Sequence, residues 1–330
     1  MGMVDGKHAG RARRAGILGA SAVVGAALLM ILLPAASVAS QLPLAKDASC
    51  SVGDSPTQPA YDPVDHEVYV PNYGSSSVTV LKGTCTLAAT IKLPKGSYPF
   101  AAAFDPLNNH VYVTDAALNQ VYVLSGTKKI STIQDPSFDA PTAIVYDPEG
   151  PSLFVANEYA DTVSILGETN TVVLVLPVGE DPIGMDYDPY YGTVNVANSV
   201  SNNVTVFNGF TFAHLADIPV GTEPTAIAFD PLDQLDYVTN FDSNNVSTIA
   251  YTSFVATING FDYPVGIAWS QSELSLYVAN HDNGKVYVVS GDSIVKKMTT
   301  AEGAEYEAYD EYNDDVYVTN TITNSVYLLS

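Results

Sequence analysis

Residues 224–249 read PTAIAFDPLDQLDYVTNFDSNNVSTI, and the fold follows from how often this stretch returns. An aromatic-Asp-Pro triplet, here Phe229-Asp230-Pro231, separates two apolar runs. Its equivalents set Asp62, Asp105, Asp147, Asp188, Asp230, Ser270 and Asp310 in register, at intervals of 43, 42, 41, 42, 40 and 40 residues. Ten residues after each lies Asn72, Asp115, Asn157, Asn198, Asn240, Asn280 or Asn320, and sixteen after each lies a valine in all seven copies. Pro stands six before the aspartate in every copy except the last, which has Ala304. The copies are gapless over these cores, 62–81, 105–124, 147–166, 188–207, 230–249, 270–289 and 310–329, so length varies only between them.

Each part of the unit has a physical reading. The run before the triplet, such as Ala226-Ile227-Ala228-Phe229, is a short strand rich in small residues, suited to the place where neighbouring sheets approach most closely. Asp-Pro opens a turn, since Asp accepts from the backbone ahead and Pro sets the next dihedral. A second strand ends at the Asn, which tolerates left-handed geometry and caps its own turn. A third alternates around the valine, and a fourth covers segments such as Ala256-Thr257-Ile258. Four strands in roughly 41 residues, repeated radially, predict an all-β, seven-bladed β-propeller. The seventh copy ends after its third strand, while Val52-Gly53-Asp54-Ser55-Pro56 matches Val220-Gly221-Thr222-Glu223-Pro224, which follows a fourth strand. An N-terminal strand is therefore expected to complete the last blade and leave no open edge.

Charge narrows the partners. The chain carries 13 Lys plus Arg against 36 Asp plus Glu, a formal net charge of -23. That balance excludes nucleic acid and anionic membrane, which need clustered bases. From residue 41 onward there are nine lysines and no arginine, so bidentate guanidinium recognition is absent there. A chain with so few bases avoids heavy positive charge once its carboxylates protonate, which suggests an acidic external medium.

Residues 1–40 have the order of an export signal: four bases before residue 15, an uncharged apolar run over 15–33, then the small residues AASVAS. Cleavage near Ala39-Ser40 gives a secreted chain. The apolar run also approaches the roughly 20 residues that span a bilayer, so an uncleaved anchor is the alternative. Either way residues 41–330 are exported, secreted or held at the cell surface, touching membrane only through residues 15–33. Two cysteines in an exported chain invite a disulfide. The repeat register nevertheless puts Cys50 and Cys85 at opposite ends of neighbouring outer strands, and a bridge spans only about 7 Å between Cα atoms, which speaks against one.

The strings YVPN, YVTD, FVAN, NVAN, YVTN, YVAN and YVTN, one in each repeat, make the exported part resemble the YVTN-repeat propellers of archaeal surface-layer and other cell-surface proteins. Trp269-Ser270-Gln271 in repeat six and Glu311 in repeat seven depart from the triplet. The resemblance implies an extracellular, structural or adhesive role and transfers no catalytic residues.

Candidate chemistry is sparse. The repeated aspartates read as turn residues, and His66, His110, His214 and His281 do not fall at matched positions as zinc or copper ligands would. No nucleophile elbow or phosphate loop appears. Asp186 stands in an inner strand where the other copies have Ala or Val, and Glu305, Tyr306 and Glu307 lie in the inner strand of repeat seven. Buried carboxylates need a partner or a proton, so Asp186 and Glu307 are candidate ligands for a divalent cation such as calcium; contact with solvent in a wide central channel is the simpler reading. No other cofactor is suggested. The face built from second-to-third-strand turns and blade connectors gathers Tyr73, Tyr98, Tyr159, Phe241, Phe261, Tyr263 and His281, with Glu158, Glu180, Asp181, Glu223 and Asp242 among them. Aromatic planes beside carboxylates suit sugar rings or cationic peptides, although connector aromatics also pack over blade edges. Asn203-Val204-Thr205 and Asn245-Val246-Ser247 are glycosylation sequons at one equivalent position. Together these features suggest a non-catalytic surface module that binds other cell-surface proteins or glycans, or a passive surface-layer building block. The alternative is a propeller enzyme of lactonase or lyase type with a cation-dependent site over the channel.

Overall fold

The repeat folds as its alternation demands. In blade 5 the inner strand is Pro224–Asp230, followed by Leu235–Asn240, Asn245–Ala250 and an outer strand Ser253–Asn259, all antiparallel. The same order recurs in seven four-stranded sheets of the computed structural model, which describes residues 48–329. The chain is a seven-bladed β-propeller. Blade 7 takes Ala304–Asp310, Asp315–Asn320 and Ser325–Leu329 from the C-terminal end and its outer strand, Ala48–Ser51, from the N-terminal side. Ala48 stands opposite Leu328 and Ser51 opposite Ser325, so the ring closes by the N-terminal strand. The leader or anchor expected over 1–40 lies outside the described residues. Among the described residues no helix is long and apolar enough to cross a membrane.

The turn aspartates act as their spacing implies: Asp188 Oδ1 accepts from Tyr190 N at 2.7 Å and Tyr191 N at 3.1 Å. Ser270 substitutes in blade 6, its Oγ accepting from Glu273 N at 3.3 Å. The asparagine ten residues on does something different from the expected left-handed cap. Asn240 is fully buried at the end of its strand, and its Nδ2 donates to Asn245 Oδ1 and Ser247 Oγ, both at 2.9 Å, on the third strand. The left-handed residue comes four later, at Ser76 (φ 48°), Asn119 (φ 51°), Asp161 (φ 53°), Asn202 (φ 57°), Asn244 (φ 53°), Gly284 (φ 60°) and Asn324 (φ 53°). The chain reverses there, immediately before the third strand, while the buried asparagine ties the two strands together.

Blades pack through a recurring cross-blade pair. An aromatic in the second strand, Tyr69, Tyr112, Phe154, Tyr237, Tyr277 or Tyr317, packs on an aliphatic of the next blade, respectively Val111, Leu153, Val194, Leu276, Val316 or Val68. Burial of each large side chain contributes about 1.5–3 kcal/mol. Four of the five tyrosine hydroxyls bond to the next blade: Tyr69 donates to Gly126 O at 3.1 Å, Tyr112 to Asn170 Oδ1 at 2.7 Å, Tyr237 to Gly291 O at 3.0 Å and Tyr317 to Gly83 O. Between blades 4 and 5 the corresponding residues are Asn195 and Asp236. Near the axis, small residues are required: a Cβ on Gly184 would strike the Thr225 carbonyl oxygen, and one on Gly266 the Glu305 carbonyl oxygen.

Cys50 and Cys85 form a disulfide, with Cα atoms 5.3 Å apart, contrary to the expectation from the repeat register. The reason is twist. Adjacent strands rotate by roughly 20–25°, so across four strands the outer one lies steeply inclined to the inner one, and "ends" defined on inner strands do not transfer outward. Cys50, mid-strand in blade 7, is buried with Val68, Leu81 and Tyr317, beside the third-to-fourth hairpin of blade 1 that carries Cys85.

Candidate functional site

The face built from second-to-third-strand turns and connectors assembles most of the expected aromatics into two clusters. Tyr73 follows the second strand of blade 1 and stacks on Tyr98 of the adjoining connector, ring centroids 4.4 Å apart. Tyr73 N donates to Ser55 O at 2.9 Å and Tyr98 N to Asp115 Oδ1 at 2.8 Å, so the backbone fixes both rings. On the other side, Phe241 lies 4.9 Å from Tyr263 and 6.3 Å from His281. Phe100 and Tyr306 extend the first cluster: Phe100 meets Tyr73 edge-on at 6.5 Å and Tyr306 at 6.0 Å. Tyr159 is exposed on the short 3-10 turn Glu158–Ala160. Phe261 departs from expectation, for it is buried beneath the face against Tyr287, filling the interface between blades 5 and 6.

Carboxylates interleave with these rings. Burial, with Asp181 nearby, raises the Glu158 pKa, and burial with Asp242 raises that of Glu223. Glu305 is also raised by burial, opposed by its hydrogen bond from Thr321 Oγ1 (2.7 Å) and by His281. His281 Nδ1 lies 2.7 Å from Asp282 Oδ1 and its Nε2 3.7 Å from Glu305 Oε1. The face thus presents aromatic planes and carboxylates to solvent, an arrangement able to hold a cation or stack a sugar ring.

The two inner-strand acids do not form one site. The channel is not wide, because Gln58, Met185 and Tyr306 narrow it to a central cavity of about 20 Å³, room for about one water, lined on one side by Glu307. Glu307 is 8% exposed with both carboxylate oxygens unpartnered, and burial raises its pKa well above the ordinary value. Asp186 opens instead toward the Asp-Pro-turn side, where its Oδ2 accepts from Phe229 N at 2.8 Å and burial pushes its pKa up to about 7. Among the described residues no three His, Cys, Asp or Glu side chains converge to hold a metal.

Asp186 lies where two lobes of a funnel meet, of about 670 and 710 Å³, walled by triplet aromatics such as Tyr146, Tyr187, Phe229 and Trp269. Sequence reading missed this funnel. Its signal was present, an aromatic at one repeat position in all seven copies, but it served only to align them. At the sequons, Asn203 Oδ1 accepts from Asn198 Nδ2 at 2.8 Å and Asn245 Oδ1 from Asn240 Nδ2 at 2.9 Å; both asparagines are half-buried and open the third strands of their blades.

No family model matches the chain, and no curated protein does. Solved structures of similar shape include a streptogramin B lyase, at 13% identity and TM-score 0.75, covering 86% of this chain and 96% of that one. Virginiamycin B lyase from Staphylococcus aureus follows at 11% identity and TM-score 0.73, covering 86% and 98%. It has also been solved with quinupristin as a catalytically inactive histidine-to-alanine variant. Kuenenia stuttgartiensis hydrazine synthase matches at 15% identity and TM-score 0.72, covering 89% and 99%. At these identities the likeness is one of fold, and what the chain shares with them is the propeller.

Proposed function

We propose that this chain is an exported cell-surface binding module of the YVTN-repeat kind, taking cationic peptides or glycans on the face that carries Tyr73, Tyr98, Tyr159, Phe241, Tyr263 and His281. The observation that carries this reading is two groups of rings, Tyr98, Tyr73, Phe100 and Tyr306 in one and His281, Phe241 and Tyr263 in the other, with Glu158 and Glu305 near Tyr306 and Glu305 reaching His281. A cation over an aromatic face contributes about 0.5–2 kcal/mol, so several rings with carboxylates reach useful affinity without a deep pocket. The disulfide supports an oxidising, extracellular location. The test is an array of glycans and cationic peptides probed with purified protein. Binding that Tyr73→Ala with Phe241→Ala weakens at least about tenfold supports the reading; no binding, or unchanged binding in the variant, overturns it.

A second reading has one observation in its favour. His281 sits between Asp282 and Glu305, as a histidine placed to move a proton would, and a lyase of the same fold loses activity with one histidine. Under that reading the chain is a lyase with His281 at its active centre. Incubation with quinupristin and chromatographic analysis decides it: conversion to a product that disappears in His281→Ala supports lyase action, and unchanged quinupristin removes it.

A further inference from the structure

The interface between blades 4 and 5 departs from the other six at two positions that face each other. Where the other second strands carry a buried aromatic, blade 4 has Asn195, and where the others carry a buried aliphatic, blade 5 has Asp236. The substitutions are paired. The Asn195 side chain lies within hydrogen-bonding reach of the Asp236 carboxylate, and Asp188 and Asp186 are the other carboxylates that act on it. Asp188 is directly across the strand pair from Thr193, and Thr193 and Asn195, two residues apart, project from the same side of their strand.

Every one of these groups is buried: Asp188, Thr193 and Asn195 are 0% exposed and Asp236 is 1% exposed. Five of their oxygens have no hydrogen-bond partner, namely Asp188 Oδ2, Thr193 Oγ1, Asn195 Oδ1 and both carboxylate oxygens of Asp236. Among the described residues no lysine or histidine forms a salt bridge with either aspartate. Two buried carboxylates without a base, beside a hydroxyl without a partner and with one amide within reach, are a poor way to fill a blade interface unless something positive sits among them.

We propose that Asp188, Thr193, Asn195 and Asp236 form an inter-blade site for a divalent cation of the calcium class. All the donors are hard oxygens: carboxylate, amide carbonyl and hydroxyl. Calcium takes six to eight of them, so five from side chains leave room for water or backbone carbonyls. The ion replaces the aromatic wedge of the other interfaces and bonds blade 4 to blade 5. This site is independent of the binding-face proposal, being buried between blades; Asp186, directly across the strand pair from Asn195, borders it, whereas Glu307 belongs to blade 7.

The test uses the purified protein, stripped with a chelator and titrated with calcium chloride by calorimetry and thermal unfolding, with magnesium as comparator. The expected result is one calcium per chain and an unfolding constant that falls about 100-fold when free calcium is 100 times its Kd. Asn195→Tyr with Asp236→Val restores the aromatic–aliphatic pairing of the other six interfaces, so this variant is expected to fold, to bind no calcium and to lose the thermal response. Asp236→Asn, which keeps the shape, is expected to weaken calcium at least about tenfold. A wild-type protein with no calorimetric site and no thermal response overturns the proposal. So does calcium binding unchanged in Asp236→Asn or in the double variant, since the ion would then lie elsewhere.

Discussion

Replacing Cys50 and Cys85 together by serine asks what closes the ring. The N-terminal strand that completes blade 7 has four residues, paired only with Ser325–Leu329 of the same sheet. Hydrogen bonds from Val52 N to Asn324 O (3.1 Å) and from Ser55 N to Asn324 Oδ1 (2.9 Å) extend the join by a few residues. The disulfide spans a sequence separation of 35, and the chain-entropy relation for a loop of that size gives about 4 kcal/mol at 25 °C. Cys50 is 5% exposed among Val68, Leu81 and Tyr317, so serine there also buries an added hydroxyl, costing about 1 kcal/mol more. Guanidinium unfolding of wild type and double variant, each followed by tyrosine fluorescence, measures the sum. The midpoint is expected to fall by an amount equivalent to about 4–5 kcal/mol. The slope should rise slightly, because the uncrosslinked denatured chain exposes more surface. Limited proteolysis should find new cleavage ahead of Pro56 in the variant. A loss below about 1 kcal/mol with no new cleavage refutes the reasoning, and means that strand pairing and inter-blade packing close the ring without the clasp.

Acid should stabilise the fold between neutrality and about pH 4. Asp230, 3% exposed, has its pKa raised by burial from 3.8 to about 6, and Asp62, Glu158, Glu223, Glu305 and Glu307 are raised in the same direction. A raised folded pKa means the native state holds more protons in that window, so stability grows as pH falls through it, by up to about 3 kcal/mol for Asp230. The urea midpoint should be higher at pH 5 than at pH 7, and Asp230→Asn should flatten the slope; a midpoint that falls steadily from pH 7 to pH 5 counts against this and against adaptation to an acidic medium. Gly266→Ala should cost at least about 1–3 kcal/mol, read from its thermal midpoint, because the added methyl meets the backbone of the next blade. Asn240→Ala should cost about 1–3 kcal/mol by removing the donor to the buried Ser247 hydroxyl and the shorter of the two bonds to the Asn245 oxygen, and a change under about 0.5 kcal/mol would show that the tie is dispensable.

Blade number, strand order, the Asp-Pro turn and the N-terminal closing strand were legible in the sequence, because each depends on contacts within one repeat or on a repeat left incomplete; the role of the repeated asparagine was not. The aromatic-Asp-Pro turn is local, as is the alternation around the conserved-in-register valines such as Val204 and Val246. The candidate face was partly legible for the same reason. A residue following the second-strand asparagine must emerge at the turn, so Tyr73, Phe241 and His281 could be placed on it together.

What stayed hidden was decided across blades. Whether Phe261 reaches solvent or the core, whether Tyr306 closes the channel, and whether Cys50 meets Cys85 all depend on how far each sheet twists and how closely the next one approaches. Those quantities come from packing seven twisted sheets around one axis, and no period in the sequence encodes them. Asn195 and Asp236 show the difference most plainly. They stand 41 residues apart, at adjacent rather than identical repeat positions, so aligning the copies reveals two unrelated exceptions. Only the folded ring brings them face to face, because the side chain one blade projects outward is met by the neighbouring position of the next.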